Sequence, residues 1–299
     1  MTRVYAVASG KGGVGKTTTV ANLGAVLAEA GHEAVVVDVD LGMGNLAGVL
    51  GIDAGAGETL NDALAGTAEV SETVREGPAG LSVLPASDAL DDFGKADPTG
   101  LPAVLDALDA DVVLLDTSAG LSHDSVEPLR VADEVVLVST AERGAIGDTA
   151  KTSEVADRVG TPVMGVVVTR TTAETDAESV GERLGVELLE SIPDDPAVAA
   201  AAADGTPLVT AAPAAPATAA YRRLAAALTG DDSITATADE PASTTGPAAV
   251  ADAEAVAEGD EALDGGTEAD DESAEGIDTG SEEGDDANER TGFLRWLLG

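Results

Sequence analysis

The sequence predicts an α/β fold, a doubly wound and mostly parallel sheet, and three observations carry that expectation. Ser9 to Thr18 reads SGKGGVGKTT, a glycine-rich loop between an apolar, β-branched run at Arg3–Ser9 and an apolar run of helical period at Thr17–Ala30. A second strand-like run, Ala34–Val39, follows Gly31 and completes a strand–helix–strand unit, which brings parallel pairing and a right-handed crossover. Val112–Asp116 is a continuous apolar run closed by a carboxylate, the pattern of a strand buried on both faces in mid-sheet.

The elements follow in order from those anchors. The first helix places Val20, Leu23, Val26 and Leu27 on one face and stops at Gly31. From Ile52 to Asp109 the periodicity weakens, leaving a helix at Thr59–Leu64, a strand at Leu81–Leu84 and a helix at Leu101–Leu108. Beyond Asp116, strands at Val135–Ser139, Val163–Thr169 and Leu188–Ile192 are interleaved with helices at Ile146–Val159, Asp176–Leu184, Pro196–Ala203 and Ala214–Leu228. The expected folded domain spans 1–229. From Gly230 to Asn288 Ala, Asp, Glu, Gly, Ser and Thr dominate without apolar periodicity, so 230–289 is expected to be a disordered acidic linker. The chain turns apolar again at 290–299, where Phe293, Leu294, Trp296, Leu297 and Leu298 share one broad helical arc and Arg295 lies outside it.

Charge is the next constraint. The 299 residues include 56 acidic and 15 basic side chains, a net charge of −41. From Gly230 onward lie 21 acidic and two basic residues, −19, and the 35 acidic and 13 basic residues before it give −22. Acidity spread over the whole chain, with few lysines and aromatics, suits a protein kept soluble in concentrated salt; a local acidic interaction surface is the alternative. Either way, sequence-independent binding to DNA phosphates is disfavoured. The chain has no cysteine, which removes disulfides, zinc-thiolate sites and iron–sulfur ligation. It shows no charged segment followed by an apolar signal core, and no apolar run approaches about 18 residues, so a cytoplasmic protein is expected.

Gly10, Gly15, Lys16 and Thr17 satisfy the phosphate-loop pattern G-x-x-x-x-G-K-[ST] in its proper strand-to-helix context, the mark of a P-loop NTPase. The backbone of Gly10, Lys11, Gly12, Gly13, Val14, Gly15, Lys16, Thr17 and Thr18 can then cradle phosphates. Asp38 and Asp40, at the carboxyl end of the second strand, point towards them. Asp116 and the Thr17 hydroxyl are placed to hold a Mg²⁺ shell, Asp116 through water. The guanine-specifying [NT]-K-x-D pattern is absent, its near miss Gly94-Lys95-Ala96-Asp97 having the wrong first residue, so ATP is the expected nucleotide. His32 and His123, the only histidines, read as inert.

The form G-K-G-G-V-G-K-T adds Lys11, one of only four lysines, and with it the loop resembles the deviant Walker A motif of the MinD/ParA ATPases. The resemblance covers roughly residues 1–228 and the last eight, and it is most similar to the MinD branch; the cysteine-bearing iron–sulfur branches are removed by composition. It implies that Lys11 reaches the nucleotide of the second subunit in an ATP-held homodimer, and that Asp40, in Asp38-Val39-Asp40-Leu41-Gly42-Met43-Gly44-Asn45-Leu46, orients the attacking water. It implies a phosphate-sensing amide at Gly120, in Asp116-Thr117-Ser118-Ala119-Gly120, and an adenine-covering turn at Pro193-Asp194. Gly44, Ala47, Ser118 and Thr169 stand where the family commonly has arginine, an acid, proline and asparagine. The Phe293–Leu298 run resembles a membrane-targeting helix, with docking on a protein as the alternative. The implied function is a slow, partner-regulated ATPase that cycles on the inner face of the membrane and positions other machinery; a DNA- or cargo-partition ATPase and a weakly hydrolysing adaptor are the alternatives.

Overall fold

The computed structural model describes residues 2–120 and 123–236. Of the expected linker only 230–236 are described, and 237–289 together with the terminal segment 290–299 lie outside the described residues. Strands β1 (Arg3–Ala8), β2 (Ala34–Asp38), β3 (Arg75–Glu76), β4 (Ser82–Leu84), β5 (Val112–Asp116), β6 (Glu134–Ser139), β7 (Val163–Thr171) and β8 (Leu188–Pro193) form one sheet in the order β3-β4-β2-β5-β1-β6-β7-β8. All neighbours are parallel except the edge pair β3–β4. The expected doubly wound architecture is therefore present. From β1 the chain winds first through β2 and β4, then on the other side through β6, β7 and β8. The reversal falls at β1, and a ligand crevice lies outside the carboxyl end of such a strand.

The helices are α1 (Lys16–Glu29), α2 (Leu46–Val49), α3 (Leu60–Leu64), α4 (Val70–Thr73), α5 (Leu90–Phe93), α6 (Leu101–Asp106), α7 (His123–Val131), α8 (Arg143–Val159), α9 (Ala177–Leu184), α10 (Pro196–Ala203), α11 (Leu208–Ala211), α12 (Pro216–Thr229) and α13 (Ser233–Ala236). Successive strand residues point to opposite faces, so each strand feeds two cores. Val36, Val83 and Leu114 pack with α1 and α12, whereas Val35, Val37, Val113 and Leu115 pack with α3 and α6. Burial on both faces explains why these strands read as unbroken apolar runs.

Helix α1 corrects the expectation of a single apolar face. Every residue from Thr19 to Leu27 is buried, including the polar Asn22, whose Oδ1 accepts the Leu208 N–H at 2.8 Å and whose Nδ2 donates to the Thr18 carbonyl at 2.8 Å. The helix is enclosed by the sheet, α11 and α12, so small residues appear where a surface helix would carry charge. The Tyr5 hydroxyl ties β1 to the end of α12 by donating to the Leu228 carbonyl at 2.8 Å.

Packing continues past the boundary expected at Thr229. Gly230 ends α12 in the left-handed region (φ 73), Ile234 is buried in the core, and His32 brings Nε2 to 3.4 Å from Asp231. Between β2 and β5 the chain forms short pieces that periodicity does not reveal. The Arg75 guanidinium organises that region by donating to the carbonyls of Asp53, Ala54, Gly57 and Glu58.

Gly24 sets the distance between α1 and the sheet, since a Cβ there would stand 2.5 Å from Cγ1 of Val36 and 3.1 Å from Cδ1 of Leu81. Gly24→Ala gains about 1 kcal/mol in helix propensity and incurs about 1–3 kcal/mol of overpacking. The expected outcome is net destabilisation, read from the midpoint of denaturant unfolding.

Candidate functional site

The loop after β1 turns through two left-handed glycines, Gly13 (φ 76) and Gly15 (φ 97), conformations that other residues adopt only with strain. A third glycine, Gly10, is required by space: a Cβ would lie 2.0 Å from the carbonyl oxygen of Asp148 in α8. Gly15 caps α1 with no side-chain acceptor, and no acidic residue occupies the first turn. The amides that open α1 thus face the crevice without a carboxylate to satisfy them, the electrostatics of an anion site.

The two lysines of the loop lie in different environments. Lys16 is buried at the start of α1. The Lys11 side chain is 45% exposed and reaches outward to Glu142, Nζ to Oε2 being 2.9 Å. Glu142 precedes α8, far from Lys11 in sequence, and nothing local to it marks this pairing. An ion pair so exposed to solvent is weakly held and readily exchanged.

Three aspartates meet the loop at the carboxyl edge. Asp38 and Asp116 are direct partners in the β2–β5 register, and both are buried. Asp38 accepts the Asp40 N–H at 3.2 Å on Oδ1 and the Leu46 N–H at 3.0 Å on Oδ2, fastening both ends of the intervening loop. Its pKa is pushed well above the ordinary carboxylate value by burial and by the Asp116 charge, against the two N–H donors. Burial likewise lifts Asp116 to about 6, while the Thr17 hydroxyl and the Lys16 ammonium hold it down and Asp40 pushes it up. Asp40 is half-buried, and its Oδ1 accepts the Met43 N–H at 3.2 Å.

Gly44 has a local reason that the sequence comparison lacked. A Cβ there would stand 2.6 Å from Oδ2 of Asp38 and 2.8 Å from Cβ of Ala86, so the loop closes on Asp38 as no larger residue permits. Oδ1 of Asp116 is buried with no hydrogen-bond partner. An orphaned carboxylate oxygen beside the Thr17 hydroxyl suits a hard cation that completes its shell with water and phosphate. Among the described residues no group of three or more His, Cys, Asp or Glu side chains is placed to hold a metal.

Gly120 (φ 101) follows the buried Thr117, whose hydroxyl donates to the Val7 carbonyl at 3.0 Å, and its N–H is directed at the Ser9 carbonyl at 3.5 Å. On the other side of the loop, Val14, Thr18, Thr169, Arg170, Pro193 and Asp194 line a cavity of about 210 Å³. The expected base contacts Pro193 and Asp194 are therefore gathered beside the phosphate loop. Phe293, Leu294, Trp296, Leu297 and Leu298 lie outside the described residues.

The carboxylate pair predicts a pH effect on the nucleotide-free protein. The folded state holds the Asp116 proton more tightly (about 6 against 3.8), so the associated stability is fully present below pH 3.8 and lost as pH rises through about 6. Asp116→Asn should therefore raise stability at about pH 8 by on the order of 2 kcal/mol and leave it unchanged below about pH 4. Thermal melts of both proteins at the two pH values check this, and an equal effect at both would exclude charge as the cause.

Comparison with known proteins agrees with this geometry. The family described as CobQ/CobB/MinD/ParA nucleotide binding domain matches residues 5–208. An uncharacterized ATP-binding protein of Methanocaldococcus jannaschii is 37% identical over 235 residues, which is 77% of this chain and 89% of that protein. The septum site-determining protein MinD of Pyrococcus horikoshii, solved as a complex with Mg-ADP, has a TM-score of 0.72 at 33% identity over 77% of this chain and 96% of its own. The cell division ATPase MinD of Pyrococcus furiosus gives a TM-score of 0.72 at 35% identity over 76% and 98%. The chain belongs to the CobQ/CobB/MinD/ParA family of nucleotide-binding proteins, as a P-loop ATPase of the MinD/ParA type.

Proposed function

We propose that this chain is a MinD-like ATPase that binds ATP with Mg²⁺, closes into a homodimer around the nucleotides, attaches to the membrane and positions other cellular machinery. The observation that carries this reading is the contrast between the buried Lys16 and the outward, exchangeable Lys11. A lysine needed only for the protein's own nucleotide has no reason to leave the cradle.

In this mechanism the amides from Gly10 to Thr18 bind the phosphates, and Lys16 balances charge on the β- and γ-groups. The Thr17 hydroxyl and, through water, Asp116 would hold Mg²⁺, which would supply positive charge against the phosphates. Asp40 orients a water in line with the γ-phosphorus. A bond forms between the water oxygen and phosphorus, the bridging P–O bond to the β-phosphate breaks, and the water's proton passes to phosphate. Lys11 of the second subunit stabilises the transferring group, an effect worth about 10³ in rate for a cation supplied in trans. The Gly120 amide senses the γ-phosphate, and the Pro193-Asp194 turn covers adenine. The segment 290–299 supplies lipid contact through Phe293, Leu294, Trp296, Leu297 and Leu298. One short anchor binds lipid weakly, whereas two in a dimer bind with avidity, so membrane attachment reports the nucleotide state.

Light scattering and phosphate release with Mg-ATP test the reading. Asp40→Ala is expected to remain dimeric with hydrolysis lowered by on the order of 10² or more, and Lys11→Ala to remain monomeric. A native protein that stays monomeric with Mg-ATP would refute the mechanism, and native turnover no faster than Asp40→Ala would favour a nucleotide-binding adaptor. For the membrane step, vesicles containing anionic lipid should pellet the protein with ATP more than with ADP. Equal pelleting of Trp296→Glu would count against the anchor.

A further inference from the structure

Thr169 stands where the family commonly has asparagine and lines the cavity shared with the expected base contacts Pro193 and Asp194, yet its hydroxyl proton is committed elsewhere. The residue is buried near the end of β7, and Oγ1 donates to the Val14 carbonyl at 2.6 Å, with the Ser139 carbonyl 3.4 Å away. Its methyl carbon lies 3.6 Å from the position a Cβ on Gly15 would occupy. The side chain is thus wedged beneath the phosphate loop, bonded to one loop residue and packed against the next.

The point it grips matters because the loop is free to rotate on either side. Gly13 and Gly15 are the two left-handed glycines, and Val14 lies between them. The peptide joining Val14 to Gly15 is planar, so its C=O and N–H point in opposite directions. Holding the carbonyl against Thr169 turns the Gly15 N–H the other way, out of the core and into the cradle. The strand itself supports this placement. Alternation along β7 puts Thr169 on the same face as Val167, which shares the core cluster with Val14, and the strand turns irregular only after it, at the left-handed Arg170 (φ 55).

The geometry points to Thr169 as a positioning residue of the phosphate loop, not a reader of the base: it sets the Val14–Gly15 peptide so that the Gly15 amide faces the bound phosphates. This rests on the triphosphate site proposed above and extends it, because affinity then depends on Thr169 equally for every base.

Titration calorimetry of the full chain with ATP, GTP, CTP and inorganic pyrophosphate, all with Mg²⁺, tests it. Thr169→Val, nearly isosteric, is expected to weaken binding about ten-fold for each ligand, pyrophosphate included, and Thr169→Ser to restore it to within about two-fold. Amide exchange at Gly15 in the nucleotide-free protein should quicken in the valine variant and not in the serine variant. If a melting curve shows that valine is not tolerated, Thr169→Ala carries the same expectation. A loss confined to ATP would make Thr169 a base reader and overturn the inference, as would unchanged binding of all four ligands. Failure of Thr169→Ser to restore binding would overturn it in favour of packing by the methyl group. A native protein that binds none of the four would instead remove the triphosphate site itself, a distinguishable result.

Discussion

The phosphate loop keeps its shape because it is gripped from outside. Glycines give it two left-handed turns, and a segment so permissive has no preferred path of its own. Its path is imposed where Gly10 meets the backbone of α8 and where Thr169 takes the Val14 carbonyl. Both contacts come from the side of the sheet built after β5, so the cradle takes form only when β6, α8 and β7 are in place. The anion site is therefore a property of the assembled domain and not of the motif.

The carboxylates impose the opposite tension. Two buried aspartates abreast in neighbouring parallel strands are electrostatically unfavourable: burial and then the Asp116 charge raise the Asp38 pKa, and burial, with a smaller push from Asp40, raises that of Asp116. The arrangement persists because each carboxylate does something a neutral residue cannot. Asp38 accepts N–H groups at both ends of the 40–46 loop, and Asp116 leaves one oxygen without a partner beside Thr17. Strain of this kind is characteristic of sites whose charge is balanced on ligand binding.

Much of this was legible in the chain. The run from Arg3 to Asp38 combines an apolar strand, a glycine-rich loop, an apolar helix and a second strand, and each signal agrees with the others. Late helices were readable for the same reason: α10 begins at Pro196 behind the Asp195 cap, whose Oδ1 accepts the Ala197 N–H at 2.9 Å. Four-residue helices such as α4 and α5 and the two-residue β3 are too short to show a period. At the site, residue types were readable and partners were not. Lys11 meets Glu142 across 131 positions and Thr169 meets Val14 across 155, separations at which no spacing rule operates. Gly44 looked like a departure from a family pattern, and only the closeness of Asp38 explains it.

The docking of α13 has a geometric consequence. Helix α1 begins at the phosphate loop and runs its 14 residues, roughly 20 Å, to the opposite rim of the sheet, where His32 meets Asp231 and Ile234 is buried. The described chain therefore ends at the rim remote from the crevice, and the carboxylate of Asp231 is held there by His32, a helix length away from the site that takes an anionic ligand.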